Sequence, residues 1–292
     1  MAYNELPFHN NIFHLLYTKY KLDIHKSNFW GMNKILEGSQ NIINVYEDKT
    51  QPSAAFWNTT DYSYMLYWKG GHTLINNILE QSINDGYDIP FYKTNLPQNE
   101  NIIVPFKDPL DRFISAYFTS IFKVEHEQLY QLTEFQITYG NYNSIYEETY
   151  KHLDDFMKSC TTSNDAEDLG YTDSNKLKTG SFAYDNHFMP IHILLYFALV
   201  GGQQRFKIFG YNLDSPQQQY IFTDIIKNEN IPWIHKERLL NLQTANNKFI
   251  KNVSRDWKMN NPVICSEITE KFLENDYTLI SALEKNSIIY GF

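Results

Sequence analysis

Alternating strand-like and helix-like segments along the 292-residue chain predict an α/β fold with a central parallel sheet flanked by helices. Three observations carry that prediction. An aromatic, extended run, Tyr62-Ser63-Tyr64-Met65-Leu66-Tyr67-Trp68, ends in a glycine loop and leads into Leu74-Ile75-Asn76-Asn77-Ile78-Leu79 at helical spacing. A second strand, Asn101-Ile102-Ile103-Val104-Pro105-Phe106, passes through Lys107-Asp108-Pro109 into another helix. A third strand, over 205–211, follows a helix over 187–200 and the pair Gly201-Gly202.

Taken in order, residues 1–60 are mixed, with a helix over 11–20 and a turn-rich patch at 48–53, and read as an N-terminal extension of unassigned role. The second helix spans 110–123, with Leu110, Phe113, Ile114, Tyr117, Phe118 and Ile121 on one face. Asp108 is its natural N-cap, and Pro109 suits the first helical position because its missing N–H would have no partner there. Residues 125–185 are helical in part, with a polar loop over 161–179. A helix over 216–228, a linker over 246–261 and a last helix over 265–283 complete the chain. No composition break divides it, so 1–292 reads as a single domain.

The composition is that of a soluble globular protein, 42% apolar and 20% charged. A net charge of −9 argues against a nucleic-acid partner, which ordinarily needs a basic face for the phosphate backbone. It leaves room for a small basic pocket around one anionic ligand. Aromatic residues reach 16%, which fits either a compositional bias or exposed rings for stacking on a base or a sugar. Cys160 and Cys265 are the only cysteines and read as two reduced thiols. The run Met1 to Pro7 has neither a basic nor an apolar signal region, and the longest apolar stretch, over 191–200, is too short to cross a bilayer. The expectation is a cytoplasmic protein without a membrane partner.

Lys69-Gly70-Gly71-His72-Thr73, between a strand and a helix, is the most informative local feature. Successive glycines let backbone N–H groups close around an anion, and the helix N-terminus adds roughly half a positive charge. Lys69 brings a full charge and Thr73 a hydroxyl, so a phosphate or sulfate is the natural guest. The Walker spacing is absent, because the lysine precedes the glycines. Alone, the loop reads equally well as a tight turn with a solvated lysine. The second unit shifts the balance, since Lys107 at a strand end and Ser115 two turns into a helix can grip a second phosphate. Ser115 also reads as a small residue at a packing contact. Arg112 reads as a structural ion pair with Asp108 or Asp111 rather than a ligand contact.

With these pieces in order, residues 62–283 resemble the carbohydrate branch of the sulfotransferases that use 3′-phosphoadenosine 5′-phosphosulfate (PAPS). The family's Pro-Lys-x-Gly-x-Thr-like loop for the 5′-phosphosulfate is matched by Trp68-Lys69-Gly70-Gly71-His72-Thr73. Its Arg-Asp-Pro-x-x-Arg-x-x-Ser-x-Tyr stretch for the 3′-phosphate is matched by Lys107 to Tyr117. The segment Asp185-Asn186-His187-Phe188-Met189-Pro190-Ile191 resembles a His-aromatic-x-Pro-Gln piece, and Phe272 to Tyr277 resembles the family's closing helix. Trp68 stands where proline is usual, and His72 where a small residue is common. Lys107 replaces arginine, a point charge in place of a bidentate fork. Residues 81–104 hold no histidine where several members carry a catalytic one.

The resemblance implies a P-loop-NTPase-like sulfotransferase fold and transfer of a sulfuryl group from PAPS to an acceptor hydroxyl, that of a carbohydrate foremost. It also implies donor contacts from Lys69, Gly70, Gly71, His72, Thr73, Lys107, Ser115 and Lys251, the last closing from the late linker together with Arg255 or else solvated. His187 is the first choice for the general base and His72 the second, while either also reads as a non-catalytic histidine. His192 reads as structural. No cluster with metal-ligand spacing stands out, and no metal is expected. Two alternatives remain at this level: a degenerate sulfotransferase-fold binding module, and a P-loop-type nucleotide kinase.

Overall fold

The computed structural model describes residues 55–58, 62–67, 69–70, 92–94, 97–99, 101–131, 141–162, 187–188, 190–191, 194, 207–212, 245–285 and 289–290. Six strands form one sheet: β1 (Ala55–Asn58), β2 (Tyr62–Leu66), β3 (Tyr92–Thr94), β4 (Asn101–Phe106), β5 (Lys207–Asn212) and β6 (Ile289–Tyr290), in the order β3-β1-β2-β4-β5-β6. The pairs β2–β4, β4–β5 and β5–β6 are parallel, whereas β1 runs antiparallel to both β2 and β3. The sheet is therefore mixed rather than parallel throughout. The physical reason is the short connection from β1 to β2, which permits only a hairpin. β1 also falls inside the segment read from sequence as an extension, so the end of that segment belongs to the sheet.

A buried polar clip sets where β4 enters. Asn58 and Ser63 face each other across the hairpin and are fully buried. The Ser63 hydroxyl donates to Asn58 Oδ1 at 2.6 Å, and that oxygen also accepts from the Gln98 N–H at 2.9 Å. Ser63 Oγ accepts from the Gln98 and Asn99 N–H groups at 3.1 and 3.0 Å. Such groups stay buried only when satisfied. Here their satisfaction ties the strand approach at 98–99 to the start of β2, in line with the pairing of Tyr62 with Asn101.

The helices are α1 (Pro109–Tyr117), α2 (Tyr142–Thr162), α3 (Ala245–Asn260), α4 (Pro262–Ile268) and α5 (Glu274–Lys285). α1 runs on through a π-helical turn, Phe118–Phe122, and the short helices Lys123–Glu125 and Glu127–Tyr130; a second π turn, Thr269–Leu273, joins α4 to α5. All six residues assigned to the buried face of the second helix are buried. Phe113 is the hub of this core. Its ring lies 5.9 Å from that of Phe272, 5.2 Å from Phe188 and 6.4 Å from Phe156. It thereby joins α1 to α2, to the second π turn and to the turn at 187–188.

Residues 246–261 are not a linker. α3 covers 246–260 as a helix and Asn261 is the N-cap of α4, while Phe249, Val253 and Trp257, four residues apart, form the buried stripe of α3. Polar bonds hold α3 to α2: the Tyr146 hydroxyl donates to Asp256 at 2.7 Å and Trp257 Nε1 to Asp154 at 3.1 Å. The Lys271 ammonium donates to the Cys160 carbonyl at 2.8 Å, placing a cation at the C-terminal end of α2, where the helix dipole favours one. Helices over 11–20 and 216–228, and residues 163–179 of the polar loop, lie outside the described residues.

At one joint between α2 and the arm that follows α1, two histidines meet. The rings of His126 and His152 stack with centroids 3.6 Å apart, and His152 Nε2 lies 3.9 Å from Glu148. Burial, and then the charge of His152, hold His126 below the ordinary 6.5. The folded state thus binds fewer protons than the unfolded chain just below that pH, so stability is present above it and is lost on acidification. Neighbouring Glu125 is pushed the other way by burial. Its contribution has the opposite sign and falls away as pH rises through its raised value. Urea unfolding at a series of pH values from 7.5 to about 5.5 is expected to show falling stability, and the slope should flatten in His126→Gln. An unchanged slope would place the acid sensitivity elsewhere.

Candidate functional site

Because β2 and β4 are adjacent and parallel, their carboxyl ends leave the sheet at one edge. With Tyr64 opposite Ile103, Lys69 follows five residues after one partner and Lys107 four residues after the other. Lys69 and Lys107 therefore each follow a strand that ends at the edge where α/β sheets ordinarily take ligands. Asn212, opposite Phe106, ends β5 at the same edge.

Lys69 adopts φ 64°, the one positive value on a non-glycine residue among the described residues. For such a residue the left-handed region costs about 1–2 kcal/mol. The turn is closed by the Gly70 N–H, which donates to the Tyr67 carbonyl at 3.1 Å. Gly70 itself rests on the Tyr67 ring, and a Cβ built on it would fall inside that ring. Tyr67 has no room to give way, being only 2% exposed. Gly70→Ala is accordingly expected to cost about 1–3 kcal/mol through overpacking, read as a lower unfolding midpoint. An unshifted midpoint would show that the ring moves freely.

Asp108 caps α1 as the sequence predicts. Its Oδ1 accepts from the Asp111 N–H at 2.9 Å, with Pro109 in the first helical turn. Its other oxygen accepts from the Tyr277 hydroxyl of α5 at 2.9 Å. Asp111 forms an ion pair with Lys258 of α3. The ion pair expected of Arg112 with either aspartate is not the arrangement found, because its guanidinium stands 5.3 Å from the centre of the Tyr67 ring, itself 2% exposed. α1 buries every residue except Asp111 and Ser115, which are half-buried and share one stripe a turn apart. The Ser115 carbonyl accepts from the Thr119 hydroxyl at 3.2 Å.

His187 is half-buried in the turn before Phe188, whose ring packs on Phe113 of α1. Three residues on, the Ile191 N–H donates to Asp276 of α5 at 2.9 Å. The His187 turn is therefore tied to both α1 and α5. Lys251 sits exposed on α3, not on a linker, and Arg255 bonds to Asp256 at 3.0 Å. The α3 cation that reaches α1 is Lys258, two turns further along. Gly71, His72, Thr73 and His192 lie outside the described residues.

Burial pushes the Tyr67 hydroxyl well above its ordinary value, with Arg112 opposing that shift and Asp276 adding to it. Tyr277 is raised likewise, by burial and then by Asp108, so both phenols stay protonated. Sequence reasoning singled out neither Tyr67 nor Lys258. The aromatic run into the loop was a local signal for Tyr67, whereas nothing near Lys258 in the chain points to Asp111. Among the described residues no group of His, Cys, Asp and Glu is placed to hold a metal ion, and no helix is long and apolar enough to cross a membrane. A scan of protein-family models and searches of curated proteins and of solved structures returned no match.

Proposed function

We propose that this chain transfers a sulfuryl group from PAPS to an acceptor hydroxyl, that of a carbohydrate first, on a P-loop-NTPase-like sulfotransferase fold. The observation that carries this reading is the shared edge of β2 and β4, with Lys69 in the left-handed turn after one strand and Lys107 between the other and α1. The residues fit a donor with two anionic ends. Asp108 and Asp111, which would otherwise repel one end, are engaged by Tyr277 and Lys258.

Bound PAPS supplies the activated sulfuryl group, and the protein's part is positioning and charge stabilisation. Lys69 meets the charge that develops on the oxygen leaving sulfur, helped by N–H groups of the loop Gly71 to Thr73, while the Gly70 N–H is spent on closing the turn against the Tyr67 carbonyl. Lys107 and Ser115 hold the 3′-phosphate. His187, on a turn braced by Phe188 and Asp276, takes the proton of the acceptor hydroxyl, with His72 as second choice.

Calorimetry with 3′-phosphoadenosine 5′-phosphate tests the reading. The wild type is expected to bind it, and Ser115→Ala to weaken that binding on the order of tenfold, the scale of one hydrogen bond to a charged group. The same variant should hardly affect adenosine 5′-phosphosulfate, which lacks the 3′-phosphate. Equal losses for both would misplace the 3′ site. Binding without turnover would favour a binding module, and magnesium-dependent ATP turnover a kinase.

A further inference from the structure

Tyr67 stands where β2 leaves the sheet, and its ring is shared by the two parts of the proposed site. The Lys69–Gly70 turn is bonded to its carbonyl and seated on its ring. The same ring receives the Arg112 guanidinium at 5.3 Å. Arg112 belongs to α1, five residues after Lys107 and three before Ser115. Both side chains are 2% exposed, so neither is open to a ligand. A ring held in this way is a rigid element between two cation-bearing segments.

We infer that Tyr67 and Arg112 are positioning residues: a buried spacer that fixes the separation between the Lys69 turn and α1. Through that separation they set a preference for nucleotides carrying two phosphates at one spacing over those carrying one. The inference rests on the proposed donor reading, and it adds what decides between ligands. A single phosphate needs only one of the two segments and is indifferent to their spacing. A bisphosphate needs both at once, and an error of about 1 Å between them is costly.

The test is paired calorimetry with 3′-phosphoadenosine 5′-phosphate and adenosine 5′-phosphate on the full chain. Tyr67→Leu, which removes the ring, is expected to lose affinity for the bisphosphate by on the order of tenfold to a hundredfold. Its affinity for the monophosphate should fall much less, because that ligand uses the Lys69 turn alone and does not depend on its distance from α1. Tyr67→Phe, which keeps the ring, should bind both as the wild type does. If Tyr67→Leu does not fold, Arg112→Lys decides by the same pair of titrations, because it keeps the charge and loses the planar group over the ring. Wild type that binds neither nucleotide overturns the donor reading and the selectivity together. Wild type that binds the bisphosphate, with variants that lose both nucleotides equally or neither, overturns the spacer alone.

Discussion

Replacing Lys69 with alanine is expected to lower kcat for sulfuryl transfer by about two or more orders of magnitude, the size typical of losing one preorganised charge stabiliser. The backbone offers an internal control. Lys69 is held at φ 64°, where alanine is as strained as lysine and glycine is not. Lys69→Gly should therefore lose activity to the same extent as Lys69→Ala, yet unfold at a temperature at or above that of the wild type. A residue kept in a costly conformation for its charge behaves in this way, with stability and activity moving apart on relief of the strain. Steady-state turnover and thermal unfolding of the two variants decide the matter together. Near-normal turnover in Lys69→Ala would remove Lys69 from the chemistry, and a less stable Lys69→Gly would remove the strain argument.

The largest expected effect on stability is that of Phe113→Ala, a loss of about 3–5 kcal/mol, as for aromatic truncations in well-packed cores. Phe113 is 1% exposed and its ring meets Phe156, Phe188 and Phe272. These partners come from three separate parts of the chain, so no single movement refills the space. The unfolding temperature should fall on the order of 10 °C for a chain of this size. Phe113→Leu, which retains much of the volume, should cost less than half as much. Equal losses for the two would mean that ring geometry matters more than volume. The same substitution loosens the turn that carries His187, through Phe188, so activity at a temperature where Phe113→Leu stays folded should fall more than donor binding.

The strand–turn–helix unit at 101–121 was legible in the chain because its signals are local. Asp108 and Pro109 mark a helix start, and six apolar residues repeat at helical spacing. β1 was not legible, since four residues become a strand only through partners on both sides. α3 was hidden by its Asn- and Lys-rich surface. Three apolar residues at intervals of four are a narrow stripe, and their meaning depends on α2 being there to cover them. Misreading that segment moved attention to Lys251 on its exposed side and away from Lys258.

Residue order and periodicity were thus enough to place two lysines after two strand-like runs, one of them followed by a capped helix. That these runs are neighbours and parallel, and so bring both lysines to one edge, follows from the sheet order. Docking of the helices likewise set the bond from Tyr277 to Asp108, the ion pair of Lys258 with Asp111, and the shared Tyr67 ring. The reason is the range of the forces involved. Capping and periodicity act over a few residues, whereas partners more than 140 positions apart meet only after the chain has closed its core.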